Sequence, residues 1–122
     1  MTQAHLNGGK FLPCAKRTLT SSFGQVEVWM GMPTEDAESG DFRCEYGING
    51  PLTNRQGHIF GADGFQALQL CLERIATDLL FCDEGQRGAL RWFDAAYETG
   101  FPLPRSIENL ASGKPSASEP RD

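Results

Sequence analysis

The chain has little of what metal or nucleophilic chemistry needs. It carries two histidines, His5 and His58, and His5 lies in a Gly-rich N-terminal stretch, so a two-histidine metal site is not expected. Its four cysteines, Cys14, Cys44, Cys71 and Cys82, include no Cys-x-x-Cys pair, which argues against a zinc knuckle or a redox motif. No apolar run approaches the roughly 20 residues that cross a bilayer. The start, MTQAHLNGGKFLPCAKR, lacks the long apolar core of a secretory signal, so the expected location is the cytoplasm, where thiols stay reduced. Basic residues are few as well: 11 Lys and Arg against 16 Asp and Glu give a net charge of −5. That balance argues against nucleic-acid binding, which rests on neutralising phosphates.

What remains is a chain of 122 residues, one domain's worth, whose 39% hydrophobic and 22% charged residues are those of a soluble globular protein. Residues 1–13, with Gly8, Gly9 and Pro13, read as a mobile lead-in. Residues 105–122, rich in Ser, Pro and charge, hold too little apolar surface to fold and read as a disordered tail. Residues 14–104 are expected to form a single domain.

Within it, FRCEYGIN (42–49) puts Phe42, Cys44, Tyr46 and Ile48 on one face and Arg43 and Glu45 on the other, the clearest strand signal in the chain. QVEVWMGM (25–32) sets Val26, Val28 and Met30 opposite Glu27 and Trp29. AKRTLTS (15–21) alternates more weakly, with Arg17, Leu19 and Ser21 on one face, and Ser22, Phe23 and Gly24 suit a hairpin connection. RQGHIFG (55–61) and ALRWF (89–93) read as further strands.

A helix should begin at Asp63, whose carboxylate can cap the first turn while Gln66 reaches back to form a capping box. Phe65, Leu68, Leu72, Ile75 and Leu79 then recur every three or four residues, predicting one apolar stripe for a sheet. Gln69, Glu73, Arg74 and Asp78 fall mostly away from it, and Gly85 is available for a left-handed cap. The order of elements predicts an α+β fold: an antiparallel sheet of about four to five strands with one long helix packed on one face.

The helix start FGADGFQALQLCLERI (60–75) resembles the Gly-x-Asp-Ser-Leu turn of acyl and peptidyl carrier proteins. Gly64 stands where their serine would be, so no phosphopantetheine can attach, and the strands upstream do not suit a helical carrier bundle. Gly61-Ala62-Asp63-Gly64 matches no phosphate-binding loop, and Asp63 would itself neutralise the helix N-terminus. Cys44 with His58 imitates a nucleophile and base, but Cys44 falls in an apolar register. No catalytic, cofactor-binding or metal-binding residue is therefore assigned.

Asp36, Glu38 and Asp41 carry alternating carboxylates in the polar stretch PTEDAESGD (33–41) without the glycine and distal glutamate of a calcium loop. Together with Glu35 they are the candidate partner-binding residues, since an acidic surface steers a basic protein. Trp29, Trp92 and Phe93 are of a type enriched at interfaces, although Trp92 on a short strand suits a core.

GDFRCEYGINGP (40–51), FGADGFQALQLCLERI (60–75) and LRWF with GFPLP (90–104) together resemble a family of small bacterial proteins of unknown function. That family has a Gly-Asp-Trp-x-Cys-x-Tyr strand, a Gly-x-Asp-Ser-x-Gln-Ala-Leu helix start and a late Leu-x-Trp strand. The resemblance spans about residues 15–104, with Phe42 and Gly64 replacing the usual tryptophan and serine. It implies a fold and no activity.

Three functional expectations follow. The first is a small non-enzymatic protein-binding module, of the kind an immunity-type antagonist uses to cover a basic toxin domain. The second is a small-ligand binder or enzyme with a pocket between sheet and helix. The third is a structural subunit of a homodimer.

Overall fold

A computed structural model describes residues 13–93 and 99–107. Apart from Pro13, the expected lead-in lies outside the described residues, and so does the expected tail beyond Ile107. Five strands form one antiparallel sheet: β1 (Pro13–Ser21), β2 (Gly24–Gly31), β3 (Thr34–Glu35), β4 (Phe42–Asn49) and β5 (Asn54–Gly61). They are followed by helix α1 (Gly64–Phe81), a short helix α2 (Asp83–Arg87) and a 3-10 turn at Arg105–Ile107. No helix among the described residues is long and apolar enough to cross a membrane.

The sheet is a meander with one interrupted strand. β1 and β2 form a hairpin closed by Ser22 and Phe23. The Ser21 hydroxyl accepts from the Phe23 amide and donates to the Gly24 carbonyl. At φ +133° Gly24 occupies backbone space that favours glycine. β5 takes one whole edge of β4, so β2 and β3 share the other: β2 meets Tyr46–Asn49 and β3 meets Phe42–Arg43. Met32 and Pro33 interrupt what would otherwise be a single strand, as proline does where a ladder donor is missing.

The alternation read from the sequence sorts the two faces. Leu19, Val26, Val28, Met30, Cys44, Tyr46 and Ile48 enter the core with Ala67, Cys71, Ile75, Leu79 and Leu90. On the opposite face, Trp29 is also buried. Its indole lies where any side chain at Gly47 would sit, within 1.9 Å of an added Cβ; glycine is therefore required there.

A helix is about 10 Å across and strands are about 4.8 Å apart, so one helix covers about two strands. α1 lies over β4 and β5. The inner face of β1 and β2 is left to Leu90, Trp92 and Phe101 from the chain after α2. ALRWF is not the strand its composition suggests. Among the described residues its backbone joins the sheet through the bridge of Thr20 to Arg91, with both N–H···O distances at 2.9 Å. Positive φ at Ala89 (53°) and Phe93 (57°) breaks extension on either side.

The helix face also differs from the expected stripe. Phe65 is 85% exposed, whereas Ala67, Cys71, Ile75, Ala76, Asp78 and Leu79 are buried. Leu68 and Leu72 pack only partly against the core. Two contacts set this rotation. Ala67 brings the helix backbone against Gly61, where an added Cβ would be 2.4 Å from the Ala67 nitrogen, and the Tyr46 hydroxyl draws Asp78 inward by donating to it.

At the helix start, Asp63 caps as expected, accepting from the Gln66 amide at 2.8 Å, while Gln66 accepts from Ala62 at 2.6 Å, one residue earlier than a standard box. At its end there is no left-handed cap on Gly85. Cys82 turns the chain with an extended backbone, and Gly85 lies inside α2.

Candidate functional site

The four acidic candidates are brought together in one hairpin. Glu35 ends β3, and the chain turns through 36–41 into β4. The Asp36 amide donates to the Asp41 carbonyl at 2.7 Å and the Gly40 amide to the Asp36 carbonyl at 2.8 Å, with Gly40 at φ +80°. The Asp36 carboxylate accepts from the Ser39 amide at 3.0 Å and the Ser39 hydroxyl at 2.9 Å. These donors hold its carboxyl below the usual range. Asp36 is thus a brace of the loop, and the freely presented carboxylates are Glu35, Glu38 and Asp41, all exposed. Arg43, just inside β4, is engaged by Glu45 at 2.9 Å.

Beside this hairpin opens an apolar groove of about 430 Å³, lined by Pro33, Phe42, Asp63, Gly64, Phe65 and Leu68. Its residues come from the β2–β3 break, the start of β4 and the first turns of α1. Glu35 pairs with Phe42 across the β3–β4 ladder, and directly opposed residues share a face with Cβ atoms about 5 Å apart. An acidic side chain therefore stands next to the apolar floor. Phe65, misplaced into the core by its spacing, is an exposed apolar wall of the groove.

The remaining titratable groups are arranged for support. Cys44 faces the core and His58 the opposite side of the sheet, where its ring meets Phe60 edge-on at 5.4 Å; the two cannot act as a pair. All four cysteines are free. Hydrogen bonding with Cys44 and burial push the Cys71 thiol well up, keeping it protonated and unreactive. Among the described residues no group of three or more His, Cys, Asp or Glu is placed to hold a metal ion.

Asp78 is buried and its carboxylate is shared. It accepts from Tyr46 Oη, from Arg55 Nη1 at 3.1 Å and from Arg74 Nε at 3.2 Å. Sequence spacing puts Asp78 on the solvent side; the buried tyrosine on β4, on the sheet face that α1 covers, is what needs it.

Burial, and then the Asp78 carboxylate, push the Tyr46 phenol up to about 12. A folded-state value raised above the unfolded one, about 10, contributes stability that is complete below pH 10 and is lost as pH rises through the folded value. Absorbance titration of the two tyrosines should therefore show one residue's tyrosinate delayed to about pH 12 until the fold opens. Full ionisation of both near pH 10 in a still-folded protein would contradict this environment for Tyr46.

A family model described as "Domain of unknown function (DUF6968)" matches residues 15–103, and the chain belongs to that family. No curated protein and no solved structure matches it.

Proposed function

We propose that this member of a family of unknown function is a non-enzymatic protein-binding module. Its contact surface is the groove of Pro33, Phe42, Phe65 and Leu68 together with the carboxylates of Glu35, Glu38 and Asp41. The reading rests mainly on Phe65, an aromatic residue 85% exposed at the wall of an apolar groove beside an acidic hairpin. A large exposed aromatic is costly to solvate and is typical of an interface anchor. The partner that fits is a basic protein presenting an apolar side chain flanked by Lys or Arg, since the surrounding carboxylates would steer it and oppose acidic competitors. In this reading the protein is cytoplasmic and bacterial, and the role is that of an immunity-type antagonist covering a basic toxin domain.

The test is affinity capture from the native host with wild type, Phe65→Ala and the double reversal Glu38→Lys/Asp41→Lys. A basic protein retained by wild type should be weakened about ten-fold by the loss of Phe65. The double reversal should slow its association several-fold, with most of the difference screened away at high salt. Both variants should melt close to wild type, because neither site belongs to the core. A partner held equally well by all three proteins would sink the proposal, as would one that is acidic.

A further inference from the structure

The half of the sheet that α1 does not cover contains a second recess, independent of the groove above and sharing no lining residue with it. One helix spans about two strands, and the described residues after α2, Leu90, Trp92 and Phe101 among them, fill the space over β1 and β2 only in part. Between the flank of α1 and Phe101 a cavity of about 140 Å³ is left. Its walls are Ala15, Val28 and Met30 from the sheet, Leu72 and Ile75 from the helix, and Phe101. Lys16 and Trp29 also border it, but their register points their side chains to the opposite face, where Lys16 pairs with Glu27 at 3.9 Å.

The one charged side chain that the register directs to this face at the cavity is Arg17. Its guanidinium carbon lies 3.7 Å from the Trp92 ring centroid and 4.6 Å from that of Phe101. Nη1 donates to the Thr99 carbonyl at 3.0 Å, its one hydrogen-bond acceptor among the described residues. A guanidinium carries five donors in a planar fork, so most of them are unspent. Two aromatic contacts fix its plane, which lowers the entropy lost when an anion docks.

We propose that this cavity binds a small apolar carboxylate. The apolar body would enter between Val28, Met30, Leu72 and Ile75, and the carboxylate would take the free N–H groups of Arg17. Size and charge both argue for this class. A dry apolar cavity of about 150 Å³ accepts a benzene ring, so the body is about six carbon atoms. A planar carboxylate matches the guanidinium fork in bidentate geometry, which a neutral amide or alcohol does not.

The probes are benzoate and its neutral isostere benzamide, titrated into the full chain and followed by methyl resonances of Val28, Met30, Leu72 and Ile75 and by thermal shift. Benzoate should saturate, shift those methyls and bind at least ten-fold more tightly than benzamide. Arg17→Gln should bring benzoate down to the level of benzamide. Leu72→Trp, which fills the cavity from the half-buried helix flank, should abolish binding of both while the protein still melts cooperatively. Equal affinity for benzoate and benzamide in wild type would overturn the proposal. So would the absence of any saturable methyl shift, the result expected if another part of the chain occupies the cavity. Should Arg17→Gln fail to fold, the wild-type comparison and Leu72→Trp decide the matter by themselves.

Discussion

Leu79→Ala is expected to destabilise the protein by about 2–5 kcal/mol, whereas Phe65→Ala should change stability by less than about 0.5 kcal/mol. Both residues lie on the stripe that the sequence assigns to one helix face, yet Leu79 is 0% exposed and Phe65 is 85% exposed. Truncating Leu79 removes three buried carbons and leaves a cavity between α1 and the sheet that rigid strands cannot close. Truncating Phe65 removes a ring already in water. Leu72→Ala should fall between them, because Leu72 is only partly buried beside the Arg17 cavity. Denaturant melts of the three variants at equal slope give the comparison directly. A Phe65→Ala loss as large as that of Leu79→Ala would mean that the helix presents the face its spacing suggests rather than the one described.

The strands were legible because alternation is a property of the chain itself. Val26, Val28 and Met30, and Cys44, Tyr46 and Ile48, all lie on the core face they were assigned. Asp63 was legible as a cap for the same local reason. The helix face was not, since periodicity weighs residues by hydrophobicity and cannot see how close two backbones come. Ala67 is small enough to seat the helix on Gly61, and this outweighs the apolar surface of Phe65. Asp78 was assigned outward as a charge, because its partners Tyr46 and Arg55 lie on other elements. ALRWF has strand composition, but the helix α2 and positive φ at Ala89 and Phe93 keep it from extending into a strand beside β1.

The candidate sites were legible in proportion to how local they are. The acids of 35–41 are visible as a run, but the inward use of Asp36 depends on the fold of the turn. The groove joins Pro33, Phe42, Phe65 and Leu68 from three separate stretches, and no spacing announces it. Arg17 did leave a signal: it shares a face with the buried Leu19, and a charge in a core register asks what it serves. Glu84 left less, since nothing in CDEGQRG distinguishes a buried glutamate from a solvated one.

Glu84 carries the second large effect. It is 0% exposed, and from α2 it reaches the turn joining β4 to β5. One oxygen accepts from the Leu52 amide at 2.6 Å and the Thr53 amide at 3.1 Å, and the other from the Thr53 hydroxyl at 2.6 Å. Gly50 leaves room for it, since an added Cβ there would lie 2.6 Å from Oε2. Burial opposes its charge, but these donors outweigh burial and hold its carboxyl below the usual range. Hydrogen bonds to a charged group contribute about 1.5–3 kcal/mol, and unpaired buried donors cost about 1–3 kcal/mol. Glu84→Gln, which turns an amide NH₂ toward donors, should therefore cost on the order of 3 kcal/mol at pH 7. A depressed folded-state pKa contributes stability above the unfolded value, about 4.3, and loses it as pH falls through the folded one. Wild type and Glu84→Gln should accordingly differ most at neutral pH and draw together in acid, the difference shrinking below about pH 4.3 and closing as pH falls through the depressed folded value. Urea melts at steps from pH 7 to pH 3 measure this, and curves that stay parallel over the whole range would show that the charge on Glu84 does not hold the turn.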